Sequence, residues 1–254
     1  MPNTKLFDAH FHIIDHRFPI VANQGFLPEE FTSNDYLHQM NEHSLCGGAI
    51  VSGSFQAFDQ TYLKEALTQL GSSYVGVTQL PKSVSNDELL KLNEVGVRAI
   101  RFNLQRGGSE KLQELDSMAR RIYEIAQWHV ELYIESNRLA DIYQTLIKLP
   151  AVSIDHLGLS KDGFSTVVKL AEHGVRVKAC GFGRVNFDVK TALNEIYTAN
   201  PHSLMFGTDL PSTRAPRPYH DNDITLINDN FAPDQAKNIF YKNALAFYTK
   251  SDSS

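Results

Sequence analysis

Eight short runs rich in β-branched and aromatic residues recur along the chain, at 6–12, 48–52, 74–79, 97–103, 130–135, 152–156, 175–180 and 204–209. Between most of them lie stretches of helical period, at 58–70, 109–128, 139–149, 164–173 and 189–199. Ser85-Asn-Asp-Glu88 reads as a capping box that opens a further helix over Leu89, Leu90 and Leu92. A last amphipathic helix over 232–248 is opened by Pro233, and the polar tail 251–254 is expected to fray. Parallel strands need crossover helices, and eight such units close without leaving a sheet edge. The alternation therefore predicts an α/β fold, a (β/α)8 TIM barrel in which residues 1–254 form a single domain. An open doubly wound sheet would place a Gly-rich turn after its first strand, where His10-Phe-His-Ile-Ile-Asp-His16 stands instead. Long loops over 13–31 and 210–222 belong at the rim, where barrel active sites lie.

Composition narrows the classes of function. The chain has 254 residues, of which 42% are apolar and 21% charged, enough to bury one large core. Its 24 Lys and Arg against 29 Asp and Glu give a net charge of −5, which offers no general attraction to nucleic acid or to an anionic membrane. Neither is expected as a partner. Cys46 and Cys180 form no Cys-x-x-Cys motif, so a reducing compartment is expected. The first eight residues lack the apolar stretch of a signal peptide, and no window of 18 apolar residues occurs. The expected location is cytoplasmic.

The residues suited to chemistry fall at strand ends. His10 and His12 close the first run, and side chains two apart on a strand share a face, so both imidazoles could meet one ion or one substrate oxygen. The alternative is an ordinary pair of half-buried histidines. Asp8, His10 and His12 alternate with Phe7, Ala9 and Phe11, which places all three polar groups together on one face. The eighth run ends Gly207-Thr-Asp209, and strand eight neighbours strand one in a closed barrel, so Asp209 is expected to face the histidines. Its alternative is a carboxylate capping the turn at Pro211 and Ser212. The sixth run ends Asp155-His156, whose side chains should point to opposite faces; His156 is expected to enter the mouth as a third imidazole.

On Phe7-Asp-Ala-His-Phe-His12, Gly96-Val-Arg-Ala-Ile-Arg-Phe-Asn103, Asp155-His-Leu-Gly158, Lys178-Ala-Cys-Gly181 and Gly207-Thr-Asp-Leu-Pro211, the chain resembles the amidohydrolase superfamily. Within it, the likeness is to the branch of 2-pyrone-4,6-dicarboxylate lactonase and the sugar-acid lactonases, and it spans nearly the whole chain. The resemblance implies a hydrolase that opens a small lactone. It departs at the fourth strand, which ends Arg101-Phe-Asn103 where binuclear relatives place a bridging lysine or glutamate, so a two-metal site is not expected. The fifth strand ends in Glu135 where many relatives have a ligand histidine. A ligand, a partner for substrate hydroxyls and a plain rim acid are all open roles for it.

The expected mechanism has Asp209 as general base toward water, returning the proton to the leaving oxygen. His10, His12 and His156, with Asp209, would hold one divalent metal, zinc, or the histidines would donate directly to the oxyanion without a metal. An inward Arg101 is costly to bury without an anion, which a substrate carboxylate would supply; an internal pair with Asp155 or Glu135 is the alternative. Asn103, Glu135, Lys178, Arg184, Arg214 and Arg217, with Arg106, complete the expected mouth, although loop charges are commonly just solvated. The substrate is thus expected to be a small anionic lactone or sugar acid. Competing functions are a TatD-like metal-dependent nuclease or phosphoesterase, a metal-dependent decarboxylase and a non-catalytic sugar-acid-binding barrel.

Overall fold

A computed structural model describes residues 4–249; the tail at 251–254 lies outside them. Eight parallel strands follow one another around a single sheet: β1 Lys5–Phe11, β2 Ser44–Val51, β3 Tyr74–Thr78, β4 Val97–Asn103, β5 His129–Tyr133, β6 Val152–Ile154, β7 Arg176–Ala179 and β8 Leu204–Phe206. The predicted (β/α)8 barrel is the observed fold.

The helices are α1 Ser33–Gln39, α2 Thr61–Leu70, α3 Asn86–Glu94, α4 Leu115–Ala126, α5 Tyr143–Leu146, α6 Phe164–Glu172, α7 Val189–Ala199, α8 Asn222–Asn230, α9 Pro233–Lys237 and α10 Asn243–Tyr248. Of the reciprocal pair expected at Ser85, the hydroxyl half forms, accepting from the Glu88 N–H at 3.1 Å. The helix expected over 232–248 is α9 and α10 joined by a π-helical turn, Asn238–Lys242. Two helices escaped the periodicity reading, α1 and α8. The first carries a local signal, since Thr32 and Asp35 cap each other's backbone N–H groups. The helix expected over 139–149 shrinks to the single turn of α5 after two 3-10 turns.

Two apolar bodies hold the barrel. One lies between the sheet and the outer helices, with Leu6, Phe11, Ile50, Ile100, Trp128 and Leu132 among its members. The other gathers Phe7, Ala9, Val51, Val77, Ala99 and Met205 from the strands with Ala244 and Tyr248 of α10. Phe7, near the start of β1, stacks on Tyr248 at 5.5 Å, so α10 stops the barrel end remote from the C-terminal strand ends.

Closure between β8 and β1 depends on close approach and on one buried acid. A Cβ on Gly207 would fall 2.7 Å from the His10 backbone nitrogen, so only glycine admits β8 this near to β1. Just beyond, the Asp209 N–H donates to the His10 carbonyl and the His12 N–H to the Leu210 carbonyl, each at 2.7 Å. Asp8 accepts from the Thr208 N–H at 2.9 Å, the Thr208 hydroxyl at 2.6 Å, the Tyr36 hydroxyl at 3.2 Å and the His10 N–H at 3.2 Å. Burial raises the Asp8 carboxyl to about 6, the bonds from Thr208 opposing the rise.

Asp8 thus clamps the seam rather than joining His10 and His12. The β1–β2 register slips between Asp8 and Phe11, and this bulge breaks strict alternation. Asp8 and Phe11 turn outward to Tyr36 of α1, whereas His10 and His12 turn into the barrel. Asp8→Ala strands buried Thr208 and Tyr36 donors and should lower the unfolding free energy by about 3 kcal/mol, read by denaturant titration. A loss below about 1 kcal/mol would rule out the clamp.

Candidate active site

The catalytic end is assembled from strand ends whose backbones depart from regular geometry. Asp209, one step past Thr208, has φ +63°, and His156, just past β6, has φ +53°. A left-handed conformation in these non-glycine residues stores strain, held here by the surrounding packing. At β6 the turn has a specific consequence. It brings both Asp155 and His156 inward, so the expectation that only His156 enters is corrected: strict alternation ends with the strand at Ile154. Gly181 makes room for this, because a Cβ there would lie 2.5 Å from His156 Nδ1.

Asp209 is the centre of the arrangement and is fully buried. Its Oδ1 lies 3.6 Å from His12 Nε2, 3.8 Å from His10 Nε2 and 3.9 Å from His156 Nε2. Its Oδ2 accepts from Arg184 Nε at 2.6 Å. Burial works to raise the Asp209 carboxyl, but Arg184 and the neighbouring imidazoles overcome it and hold the group well below the usual carboxylate range. Burial drives His156 the opposite way, down to about 4, despite the attraction of Asp209. His10 is pushed down by burial and then by Lys178 and the flanking histidines. His12 Nδ1 lies 2.6 Å from the Val51 carbonyl, an oxygen that can only accept, so this nitrogen donates and Nε2 presents its lone pair.

Beneath the histidines the barrel interior carries paired charges. Arg101 places Nη2 2.8 Å and Nε 3.2 Å from Asp155 Oδ2, and Nη1 donates to the Ser52 carbonyl at 2.7 Å. The anion that Arg101 requires is therefore Asp155, the internal partner. Lys178, expected at a cationic mouth, is instead wholly buried and bound to Glu131, which also accepts from the Tyr248 hydroxyl and His129. Burial opposes ionisation of Glu131, yet Lys178 and His129 keep its carboxyl below the usual range.

A cleft open to solvent lies above, lined by His12, Ser54, Arg101, Asn103, Arg106, Tyr133, His156, Arg184, Thr213 and Arg214 among others. Asn103 Oδ1 accepts from the Arg106 N–H at 2.9 Å, shaping the loop after β4. Arg214 stands over the Phe26 ring at 4.5 Å and reaches Asn23 and Ser54, so loop 13–31 reaches this wall. Two expected members stand elsewhere. Arg217 is 46% exposed in its side chain and pairs with Asp223 at 2.8 Å. Glu135 is half-buried, accepts from Gln105 Nε2 at 2.8 Å and does not line the cavity.

Whether these groups suit a metal ion follows from the donor atoms. His10, His12 and Asp209 each offer an atom within 4.8 Å of the others, and both His10 Nε2 and Asp209 Oδ1 are buried without a hydrogen-bond partner. Four ligands at about 2.1 Å from zinc stand roughly 3.4 Å apart, so separations of this kind need little contraction. The set fits one divalent ion, with His156 adjacent. A second grouping, His10, Glu131 and Asp155, already encloses the Lys178 ammonium as its cation.

Sequence reading did not single out Glu131, Tyr248 or Tyr133. Glu131 carries a faint signal, an acid set between apolar Val130 and Leu132 in β5, whereas Tyr248 reaches the interior only because α10 closes the barrel's far end.

The amidohydrolase family profile matches residues 7–250. The chain is 28% identical over 157 residues to the 2-pyrone-4,6-dicarboxylate hydrolase of Comamonas testosteroni, a match covering 59% of this chain and 51% of that protein. It thus spans about half the length of that curated relative. The fold is shared with an apo structure of an Agrobacterium tumefaciens protein, at a TM-score of 0.85 and 19% identity over 98% of this chain and 97% of the other. It is shared too with a probable 2-pyrone-4,6-dicarboxylic acid hydrolase from Acinetobacter baumannii with citric acid bound, at 0.84 and 20% identity over 96% and 98%.

Because burial disfavours the imidazolium, His156 should stay neutral as pH falls from 8 and take up its proton only near pH 4. Histidine NMR titration checks this, and a midpoint at the ordinary value of about 6.5 would show that the site is wetter than its geometry indicates.

Proposed function

The chain belongs to the amidohydrolase family, and on that premise we propose that it hydrolyses a small carboxylated lactone, with residues 1–254 acting as one catalytic domain. The observation that carries the reading is the bare, buried Asp209 Oδ1 ringed by three imidazole nitrogens at the base of an arginine-lined cavity. A carboxylate oxygen with no hydrogen bond of its own, set beside imidazoles, suits proton removal from water next to a carbonyl. Arg106 and Arg214 line the cavity with no acid paired to them among the described residues, which suits an anionic ligand. The names of the Comamonas and Acinetobacter relatives, and the citric acid in the latter, support a carboxylated substrate.

In this mechanism water attacks the lactone carbonyl as Asp209 takes one of its protons. His10 and His156 stabilise the resulting oxyanion, while His12, whose Nδ1–H is given to the Val51 carbonyl, faces the attacking water as an acceptor. Collapse then breaks the ring C–O bond, and the departing oxygen takes the proton from Asp209, giving the open hydroxy acid. The charge of Arg184 holds the base weak in the free protein. A substrate carboxylate that draws Arg184 off Oδ2 would strengthen Asp209 only when the pocket is filled. Arg106 and Arg214 would orient the anionic end of the substrate. An ion held by His10, His12, His156 and Asp209 would be zinc on the strength of its nitrogen-rich donors, and would polarise the carbonyl. No described helix is long and apolar enough to cross a membrane. Cys46 and Cys180 are free, which supports a cytoplasmic location.

Asp209→Asn keeps the shape while removing the base, so turnover on an accepted lactone should fall about 1,000-fold or more, with the fold intact by circular dichroism. Near-wild-type turnover would end the assignment. In a panel at neutral pH, carboxylated lactones should be opened and uncharged lactones of similar ring size left. Preference for the uncharged ones would sink the role of the arginines.

A further inference from the structure

The floor of the site contains a lysine the mechanism above leaves unused. Lys178 Nζ is wholly buried, bound to Glu131, 3.7 Å from Asp155 Oδ1 and within hydrogen-bonding distance of His10 Nδ1 at 3.4 Å. An ammonium has three donors and no acceptor, so a nitrogen bonded to it must present a lone pair. The His10 proton therefore belongs on Nε2. The other candidate partner of His10 Nδ1 is Asp155 Oδ1, also 3.4 Å away, and that oxygen is buried without a hydrogen bond. It is the acceptor His10 would use if the proton sat on Nδ1.

His12 is in the opposite state. Its Nδ1–H is given to the Val51 carbonyl, leaving a lone pair on Nε2. Two imidazoles separated by one residue thus present unlike atoms to the same Asp209 oxygen, at 3.8 Å and 3.6 Å.

We propose that Lys178 is a positioning residue that selects the Nε2–H tautomer of His10, so that His10 donates a hydrogen bond at the reacting carbonyl while His12 remains an acceptor. The tautomer stands on geometry alone; its catalytic consequence rests on the lactonase reading. The selection also governs ion binding. Ligation through His10 Nε2 requires that nitrogen to give up its proton, which must move to Nδ1, break the Lys178 contact and engage Asp155 Oδ1. Lys178 and Asp155 are thus the two arms of a selector between a donor histidine and a ligand histidine. Glu131, held by Tyr248 and His129, anchors the lysine arm.

The test is nitrogen NMR on protein with labelled histidine at neutral pH, with His10 assigned by the loss of its signals in His10→Gln. Wild type should show Nε2 protonated and Nδ1 bare. Lys178→Met alone would leave Glu131 buried and unpaired, so the companion variant is Glu131→Gln/Lys178→Met, which removes both charges together. In it the His10 proton should move to Nδ1, and zinc added alone should bind roughly tenfold more tightly by calorimetry. On an accepted lactone kcat should fall about 100-fold with KM changed by less than about threefold. A proton on Nδ1 in wild type overturns the proposal, as does an unchanged tautomer in the double variant. If that variant does not fold, the wild-type spectrum alone decides. If no lactone is turned over, the spectra and the zinc titration still decide the tautomer, so the selector and the lactonase reading fail separately.

Discussion

The interior of this barrel depends on desolvated charge being matched locally. From the end closed by α10 toward the mouth, Glu131 meets Lys178, Asp155 meets Arg101 and Asp209 meets Arg184. Each pair draws its members from different βα units, and five of the six side chains are 2% exposed or less. Leaving one such charge unpaired typically costs 3–5 kcal/mol, so each pair constrains how its two units sit against one another. The histidines are placed within that frame. Burial keeps His10 and His156 neutral, while the adjacent cations keep the acids ionised. Neutral imidazoles beside an ionised carboxylate are the protonation states that water activation needs.

Local strain at the rim is held by the same frame. Asp209 and His156 both adopt left-handed backbone conformations, and two glycines admit the close approaches these require, Gly207 against His10 and Gly181 against His156. Asp8 contributes from outside the barrel, binding Thr208 immediately before Asp209. The acid that reads as a neighbour of the two histidines in sequence is thus a structural clamp, one residue removed from the chemistry it supports.

Much of this was legible in the chain. The alternation of β-rich runs with helical stretches led to a closed barrel because eight parallel strands have few other ways to avoid an edge. Closure then implied that the end of the eighth run lies beside the end of the first, which brought Asp209 to His10 and His12 on topology alone. The misreadings share a cause. Parity along a strand was carried through the β1 bulge, which misplaced Asp8, and past the end of β6, which misplaced Asp155. Arg101 and Lys178 were given to substrate because their partners, Asp155 and Glu131, lie on other strands and no spacing in the chain connects them. Helices α1 and α8 lie in segments left unassigned, directly after the loops read over 13–31 and 210–222.

The sequence by itself determined the order of elements, the closure of the sheet and the set of groups available at its C-terminal rim, because these follow from periodicity and chain connectivity. Only the tertiary structure decided which charges cancel internally and which face the cavity, and which nitrogen of each imidazole is free. The physical reason is range. Periodicity is written in neighbouring residues, whereas a buried charge or a shared proton is settled by whichever atom lies within about 3 Å, and that atom comes from another part of the fold.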